Sequence, residues 1–270
     1  MIITDMHSHT DLSGDCKSPI ELMIEAAKLK GIQYYAVTDH HDIDFPECGI
    51  DFLLDLEAST NQLIRYRQRY NTDDFTLLRG IEYGLQTYLQ EDLALLSQKK
   101  AYDFIIGSCH LAGGIDPYDA TYFDGRTRDE GYQFYFESML ECITAMDGFD
   151  ALGHLDYVIR YWRKDNNKKY TYSQFKEVLD GILSTLIRKD IALEVNTAGY
   201  PFKLDQPNPA YNVLSRYHEM GGELLTIGSD AHIPANVATH FDVVEERLKA
   251  IGFKSYTTYI NRKPMQIGFD

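Results

Sequence analysis

Two histidines, His7 and His9, stand two residues apart near the front of the chain, in the segment Asp5-Met-His-Ser-His-Thr10. In an extended segment alternate side chains point the same way, so both imidazoles can aim at one ion. The same residue types recur after nearly every later apolar run, as His40, Glu82, His110, His154, Asp230 and His232. Six of the nine histidines belong to this set. One ion takes three or four protein ligands, so six imidazoles and at least two carboxylates call for two divalent ions, or three. Glu82, in the middle of the set, can bridge two ions through its two oxygens. Nitrogen and oxygen donors with no thiolate suit Zn, Mn, Fe or Co. Two metals about 3.5–4 Å apart match phosphoester hydrolysis, in which a bridging water becomes hydroxide and attacks phosphorus while the ions neutralise the phosphoryl oxygens. The sequence has no Gly-rich phosphate loop, no G-x-S-x-G elbow and no Cys-x5-Arg loop, so a covalent route has no nucleophile.

The elements that must position these residues alternate. Ile2, Ile3 and Met6 read as a short strand. Ser18 as cap, Pro19 and Glu21 open a helix with Leu22, Met23, Ala26, Ala27 and Leu29 inward, stopped by Gly31. A strand over 33–38 runs into His40. A long helix follows over 50–70, with Leu53, Leu54, Leu56, Leu63 and Ile64 inward. Further strands are expected over 76–81, 102–107, 149–153, 191–195, 224–228 and 255–260. Further helices are expected over 90–101, 129–147, 173–188 (Ser173 as cap), before Gly221-Gly222, and over 241–251. The segment 112–128 reads as a long loop of the kind that carries function. Strands alternating with helices imply a parallel sheet. Seven such units in 270 residues fit a closed barrel better than an open sheet, and barrels place their active face at the C-terminal strand ends.

A hydrophobic fraction of 44% can fill a large core. No apolar run approaches the ~20 residues that span a bilayer, and the front of the chain lacks a secretory pattern. The cytoplasm is therefore expected, with no membrane partner. None of the four cysteines forms a C-x-x-C pair, so reduced thiols are expected, with Cys16 and Cys109 in packing. A net charge of -15 argues against nucleic acid as a partner.

His7-Ser-His9, Thr38-Asp-His40, Gly153-His154 and Ser229-Asp-Ala-His232 resemble the four motifs of the PHP (polymerase and histidinol phosphatase) superfamily, in the right order and over essentially the whole chain. Gly107-Ser-Cys-His110, Gly153-His-Leu-Asp156 with Arg160-Tyr161, Leu193-Glu-Val-Asn-Thr197 and Thr226-Ile-Gly-Ser-Asp-Ala-His232 resemble its stand-alone histidinol-phosphate phosphatases. The resemblance implies a distorted (β/α)7 TIM-like barrel over residues 1–270 as a single domain, a trinuclear metal centre, and hydrolysis of L-histidinol phosphate to L-histidinol and phosphate in histidine biosynthesis. It implies His7, His9, Glu82 and Asp230 around one metal, and Glu82, His110 and His154 around a second. His40 and His232 would hold a third with Asp15, which occupies a position that is often His in relatives. The alternative within the superfamily is a phosphatase for another small phosphoester or for phosphotyrosine.

Substrate contacts follow from chemistry. Arg160 offers a fork of donors to phosphate. Asp42, Tyr118 and Asn196 are candidates for the ammonium or imidazole of histidinol. Asp230 and His232 are candidates to protonate the leaving oxygen. Asp39 is expected to accept a hydrogen bond from a ligand imidazole. His218 and His240 are assigned to packing or surface, and His41 to packing beside His40 or, from its place at the mouth, to a contact with substrate.

Overall fold

The computed structural model describes residues 1–99 and 102–269. Its main sheet contains β1 (Thr4–Asp5), β2 (Tyr34–Val37), β3 (His40–His41), β4 (Thr76–Gly84), β5 (Phe104–Ser108), β6 (Ala151–Leu152), β7 (Ala192–Asn196) and β8 (Leu225–Gly228). Its strand pairings are parallel, in the order β1-β2-β4-β5-β6-β7-β8, with β3 also on β4. β2 lies against Thr76–Arg79 and β3 against Glu82–Tyr83, so β3 continues the line of β2 after a break at Thr38-Asp39. The barrel thus has seven staves, as expected. Its seam is nearly closed: Met6 N donates to Ile227 O (2.9 Å), Asp230 N to His7 O (2.8 Å) and His9 N to Ala231 O (3.0 Å). The buried carboxylate of Asp5 bolts the same seam, accepting from Ser229 N (2.9 Å), Ser229 Oγ (2.6 Å) and Ala238 N (3.1 Å).

Helices sheathe the barrel: α1 (Ile20–Leu29), α2 (Leu56–Tyr70), α3 (Gln90–Gln98), α4 (Arg128–Ala145), α5 (Lys176–Arg188), α6 (Tyr211–Glu219) and α7 (Phe241–Ile251). None of the described helices is long and apolar enough to cross a membrane. Several local expectations need correction. Ser18 does not cap α1; its hydroxyl donates to His232 O at 2.8 Å, and Pro19 takes the cap position with no side-chain bond. Met23 and Ala27 face inward as expected, but Leu22 and Leu29 are exposed, and Ile20 and Ile24 complete the inward face. α2 starts at Leu56 rather than 50, because the Asp55 carboxylate accepts from Glu57 N and Ala58 N and fixes the helix start there. Leu53 is left outside the helix and exposed, and Ile64, within it, faces solvent. α5 is preceded by a 3-10 turn capped by Thr171 and Gln174, not by Ser173. The expected end of α3 at 100–101 lies outside the described residues.

The interior of the barrel is filled by Met6, Ala36, Leu78, Phe104, Ile106, Ala151 and Ala192, together with Tyr259. The alanines on β2, β6 and β7 leave room for two rings, and Phe104 stacks on Tyr259 at 5.2 Å. Tyr259 belongs to an antiparallel hairpin of β9 (Ser255–Ile260) and β10 (Lys263–Gly268), whose second strand the sequence pattern does not predict. Its turn residues Asn261 and Arg262 both have positive φ (51° and 63°), as a tight hairpin turn requires. The hairpin closes the bottom of the barrel. Asp103 accepts from Asn261 N (3.0 Å) and Arg79 N (3.0 Å), Asp150 pairs with Arg262, and Tyr259 donates to Asp150 O (3.3 Å). With the lower end packed, the polar chemistry is confined to the opposite mouth. Replacing Tyr259 with Ala removes the plug, and loss of a buried aromatic costs about 3–5 kcal/mol. Urea unfolding of Tyr259→Ala is expected to show a stability lower by that much, with an unchanged slope.

Candidate metal centre

The strand ends carry the expected residues to one place. His7 and His9 follow β1, His40 lies on β3 beside Glu82 on β4, and His110 and His154 lie two residues past β5 and β6. Asp230 and His232 follow β8, and Asp15 comes from the loop before α1. Glu82, fully buried, is at the centre. Its Oε2 lies 3.2, 3.4 and 3.1 Å from His7 Nε2, His9 Nε2 and His40 Nδ1. Its Oε1 lies 3.2 and 3.0 Å from His110 Nε2 and His154 Nε2, and accepts from Ser108 Oγ at 2.6 Å. Asp230 Oδ1 is 3.4 Å from His9 Nε2, and Asp15 Oδ2 is 3.0 Å from His232 Nε2 and 3.6 Å from His40 Nε2. Among the described residues, overlapping groups result: His7-His9-Asp230, His7-Glu82-His154, His40-Asp42-His110 and His9-Asp15-His40-His232.

These groups fit divalent cations better than one another. Glu82 Oε2 and His40 Nδ1 are buried and face each other at 3.1 Å, yet neither takes part in a hydrogen bond among the described residues. Buried polar atoms are normally satisfied, and lone pairs that converge with no hydrogen aligned between them are what a cation accepts. The electrostatics of the carboxylates and of His9 agree, while nearby carboxylates raise His7 and His40 against burial, so that an ion would bind there by displacing protons. Burial alone would push the Glu82 carboxyl up, but His7, His40 and His110 outweigh it and hold it well below the usual range. Asp230 is held well below as well, against burial, by His7, His9 and Arg160. Burial, and then His232 and His40, lower His9 to about 3. Ionised carboxylates and a neutral imidazole are the ligand forms.

Further polar side chains hold the imidazoles in place. His7 Nδ1 donates to Glu194 Oε1 at 2.6 Å, and Glu194 Oε2 accepts from His154 N at 2.7 Å and Asn196 Nδ2 at 3.1 Å. His110 Nδ1 donates to Asp42 Oδ1 at 2.7 Å. Burial disfavours the His110 cation, but Asp42 and Glu82 raise it to about 10. Asp39, the expected acceptor, is corrected: its oxygens accept from Thr10 N (2.6 Å) and Thr10 Oγ1 (2.8 Å) instead of from a ligand imidazole. The residue missed by sequence reasoning is Glu194. Its signal was a glutamate inside the apolar run Ile191-Ala-Leu-Glu-Val195, a position where a carboxylate must have a buried partner.

A cavity of about 340 Å³ opens beside the centre, walled by Phe45, Phe52, Tyr157, Tyr161, Phe202 and Asp116. Arg160 lines it and is buried, in contact with Asp230 (Nη1 to Oδ2, 3.1 Å) rather than with the surface. Asp42 lines it too, with one oxygen given to His110. Asn196 is fully buried, and its amide is committed to Arg160, Glu194, Asp230 and Ala198 N. Tyr118 is exposed and does not line the cavity; its ring meets Tyr161, which does. His41 packs beside Tyr83, His218 edge-on to Phe253, and His240 on Tyr200, all outside the ligand groups. Cys16 and Cys109 are buried and free, as are the thiols of Cys142 and, at the surface, Cys48.

Fold and site together define a parallel α/β barrel that gathers cation ligands at its C-terminal mouth. Residues 5–198 match the model of the PHP domain, and the chain belongs to that family. A probable histidinol-phosphatase of Clostridium acetobutylicum is 29% identical over 243 residues, covering 89% of this chain and 90% of that protein. The histidinol-phosphatase of Lactococcus lactis subsp. lactis is 27% identical, covering 96% and 95%. The crystal structure of a histidinol phosphate phosphatase from L. lactis, complexed with Zn, L-histidinol and phosphate, superposes with a TM-score of 0.88 at 26% identity, covering 97% of this chain and 98% of that one. Removing a carboxylate that backs a ligand imidazole costs about 10–100-fold in metal affinity. Glu194→Ala is therefore expected to retain less zinc at equilibrium against a chelator buffer, with its fold intact by circular dichroism.

Proposed function

We propose that this protein is a metal-dependent phosphomonoesterase that hydrolyses L-histidinol phosphate to L-histidinol and phosphate. The observation that carries the reading is the convergence of Glu82 and five imidazoles at one barrel mouth, beside a cavity lined by a buried arginine. The similarity to histidinol-phosphatases over nearly the whole chain supports the substrate. His7, His9, Glu82 and Asp230 would hold one ion, Glu82, His110 and His154 a second, and Asp15, His40 and His232 a third. Ions held there would supply Lewis acidity toward the phosphoryl oxygens and a nucleophile drawn from water at neutral pH.

The chain's own residues do the rest. Arg160 receives phosphate oxygens through donors that its protein partners leave free. The aromatic walls exclude water from the reacting group and give an apolar surface to the imidazole of the substrate. Asp230 and His232 line the same cavity, where the leaving oxygen needs a proton. The whole chain forms one domain in this reading, and its four free thiols support a place in the reducing cytoplasm.

The decisive experiment is phosphate release from a panel of phosphomonoesters by protein purified without chelator, with its metal content counted. Strong preference for L-histidinol phosphate, lost on metal removal, is expected. Slow, equal turnover of many esters would overturn the substrate and assign the site to another small phosphomonoester. Glu82→Ala is expected to abolish turnover and to lose two ions while remaining folded. Full metal content in that variant would rule out the bridging role.

A further inference from the structure

We propose that Asn208 is a positioning residue for Arg160: its neutral amide orients the guanidinium while leaving the positive charge free for phosphate. The inference rests on the phosphatase reading and adds to it a residue outside the metal ligands.

Arg160 is only 4% exposed, so its donors must be met by the protein or by a ligand. Nε donates to Asn208 Oδ1 (2.9 Å), Nη2 to Asn196 Oδ1 (3.0 Å) and Nη1 to Asp230 Oδ2 (3.1 Å). A guanidinium has five N–H groups. One N–H on each terminal nitrogen is left, and phosphate oxygens can accept from these two donors. The rings of Tyr157 and Phe202 lie 5.3 and 5.0 Å from the guanidinium carbon and restrict its tilt.

Asn208 is held more firmly than a loop residue needs to be. It exchanges both backbone hydrogen bonds with Asn196, each at 2.8 Å, so the two amides that meet Arg160 are presented side by side. Its Nδ2 donates to Asp156 Oδ1, and Asp156 Oδ2 accepts from Tyr170 OH (3.0 Å) and Ala210 N (3.0 Å). Both Asn208 and Asp156 are fully buried. The amide orientation is forced, because Arg160 can only donate and the carboxylate accepts. Asn208 therefore lies between an arginine and an aspartate and bonds to both. A carboxylate at this position would join Asp230 in neutralising Arg160. A small apolar residue would leave Nε without an acceptor and Asp156 without a donor.

The test is binding of inorganic phosphate to the zinc-loaded protein by calorimetry, with metal content counted, together with KM and kcat for the preferred ester. A hydrogen bond to a charged group is worth about tenfold or more in affinity. Asn208→Asp and Asn208→Ala are each expected to weaken phosphate by that factor and to raise KM far more than they lower kcat, at unchanged metal content. In an Arg160→Ala background the same changes are expected to add nothing, since the effect passes through Arg160. Asn208→Asp alone sets a carboxyl against Asp156, so Asn208→Asp combined with Asp156→Asn, which restores a donor to that contact, carries the test should a single variant fail to fold. Unchanged phosphate affinity, or an equal loss that persists without Arg160, would overturn the proposal. Inorganic phosphate contains no histidinol, so a failure of the substrate assignment leaves this result readable. Absence of turnover on every ester would remove the phosphatase reading itself.

Discussion

The structure depends on taking the carboxylate of Glu82 entirely out of water. A buried charge is tolerable only where opposite charge or donors surround it. Here five imidazoles from four separate strand ends approach its two oxygens within 3.0–3.4 Å. No local segment can supply that shell. It needs the parallel barrel, in which strands far apart in sequence end on one rim, and a seam that brings β8 back to β1. The bolt of Asp5 on Ser229 and Ala238 is therefore part of the site, although it belongs to none of the ligand groups. So is the C-terminal hairpin, because Tyr259 fills the lower barrel and keeps the staves at the spacing the rim requires.

The ligand-bearing strand ends were legible because the signal is one of residue type: packing alone seldom makes apolar runs stop abruptly at His, Asp or Glu. The break between β2 and β3 was hidden, since Thr38 and Asp39 turn away to bond Ser8 and Thr10 while the chain keeps its direction. β10 was hidden because its alternation is short: only Met265 and Ile267 are apolar and half-buried within it, and Pro264 and Gly268 flank them as turn residues would. Glu194 and Asn208 share a different difficulty. Their meaning lies in a partner: His7 is 187 residues from Glu194, and Arg160 is 48 from Asn208. Periodicity carries no information at such separations. Asp39 shows the converse, since a carboxylate next to a ligand histidine in sequence was spent on a loop donor instead.

The charge at the mouth gives the site its order of events. Glu82, Asp230, Asp15 and Asp42 crowd the rim, and among the described residues Arg160 is the guanidinium that lines the cavity. Without cations the field at the mouth is mixed, because these carboxylates raise His7, His40 and His110 against the cost of burial and so draw protons onto the imidazoles. In the proposed reading, divalent ions would displace those protons and add positive charge where a phosphate group arrives, so cation loading and phosphate binding would favour each other reciprocally. Arg160 cannot replace the ions, since one of its terminal nitrogens is already held by Asp230. Its partners Asn196 and Asn208 are amides, and that choice preserves positive charge where the guanidinium faces the cavity. The aromatic walls contribute no charge and raise the strength of every remaining interaction by excluding water. In the proposed reading, such a centre would bind its anion through a difference between large opposing fields, so that small neutral groups at its edge would decide how much of the positive field reaches the substrate.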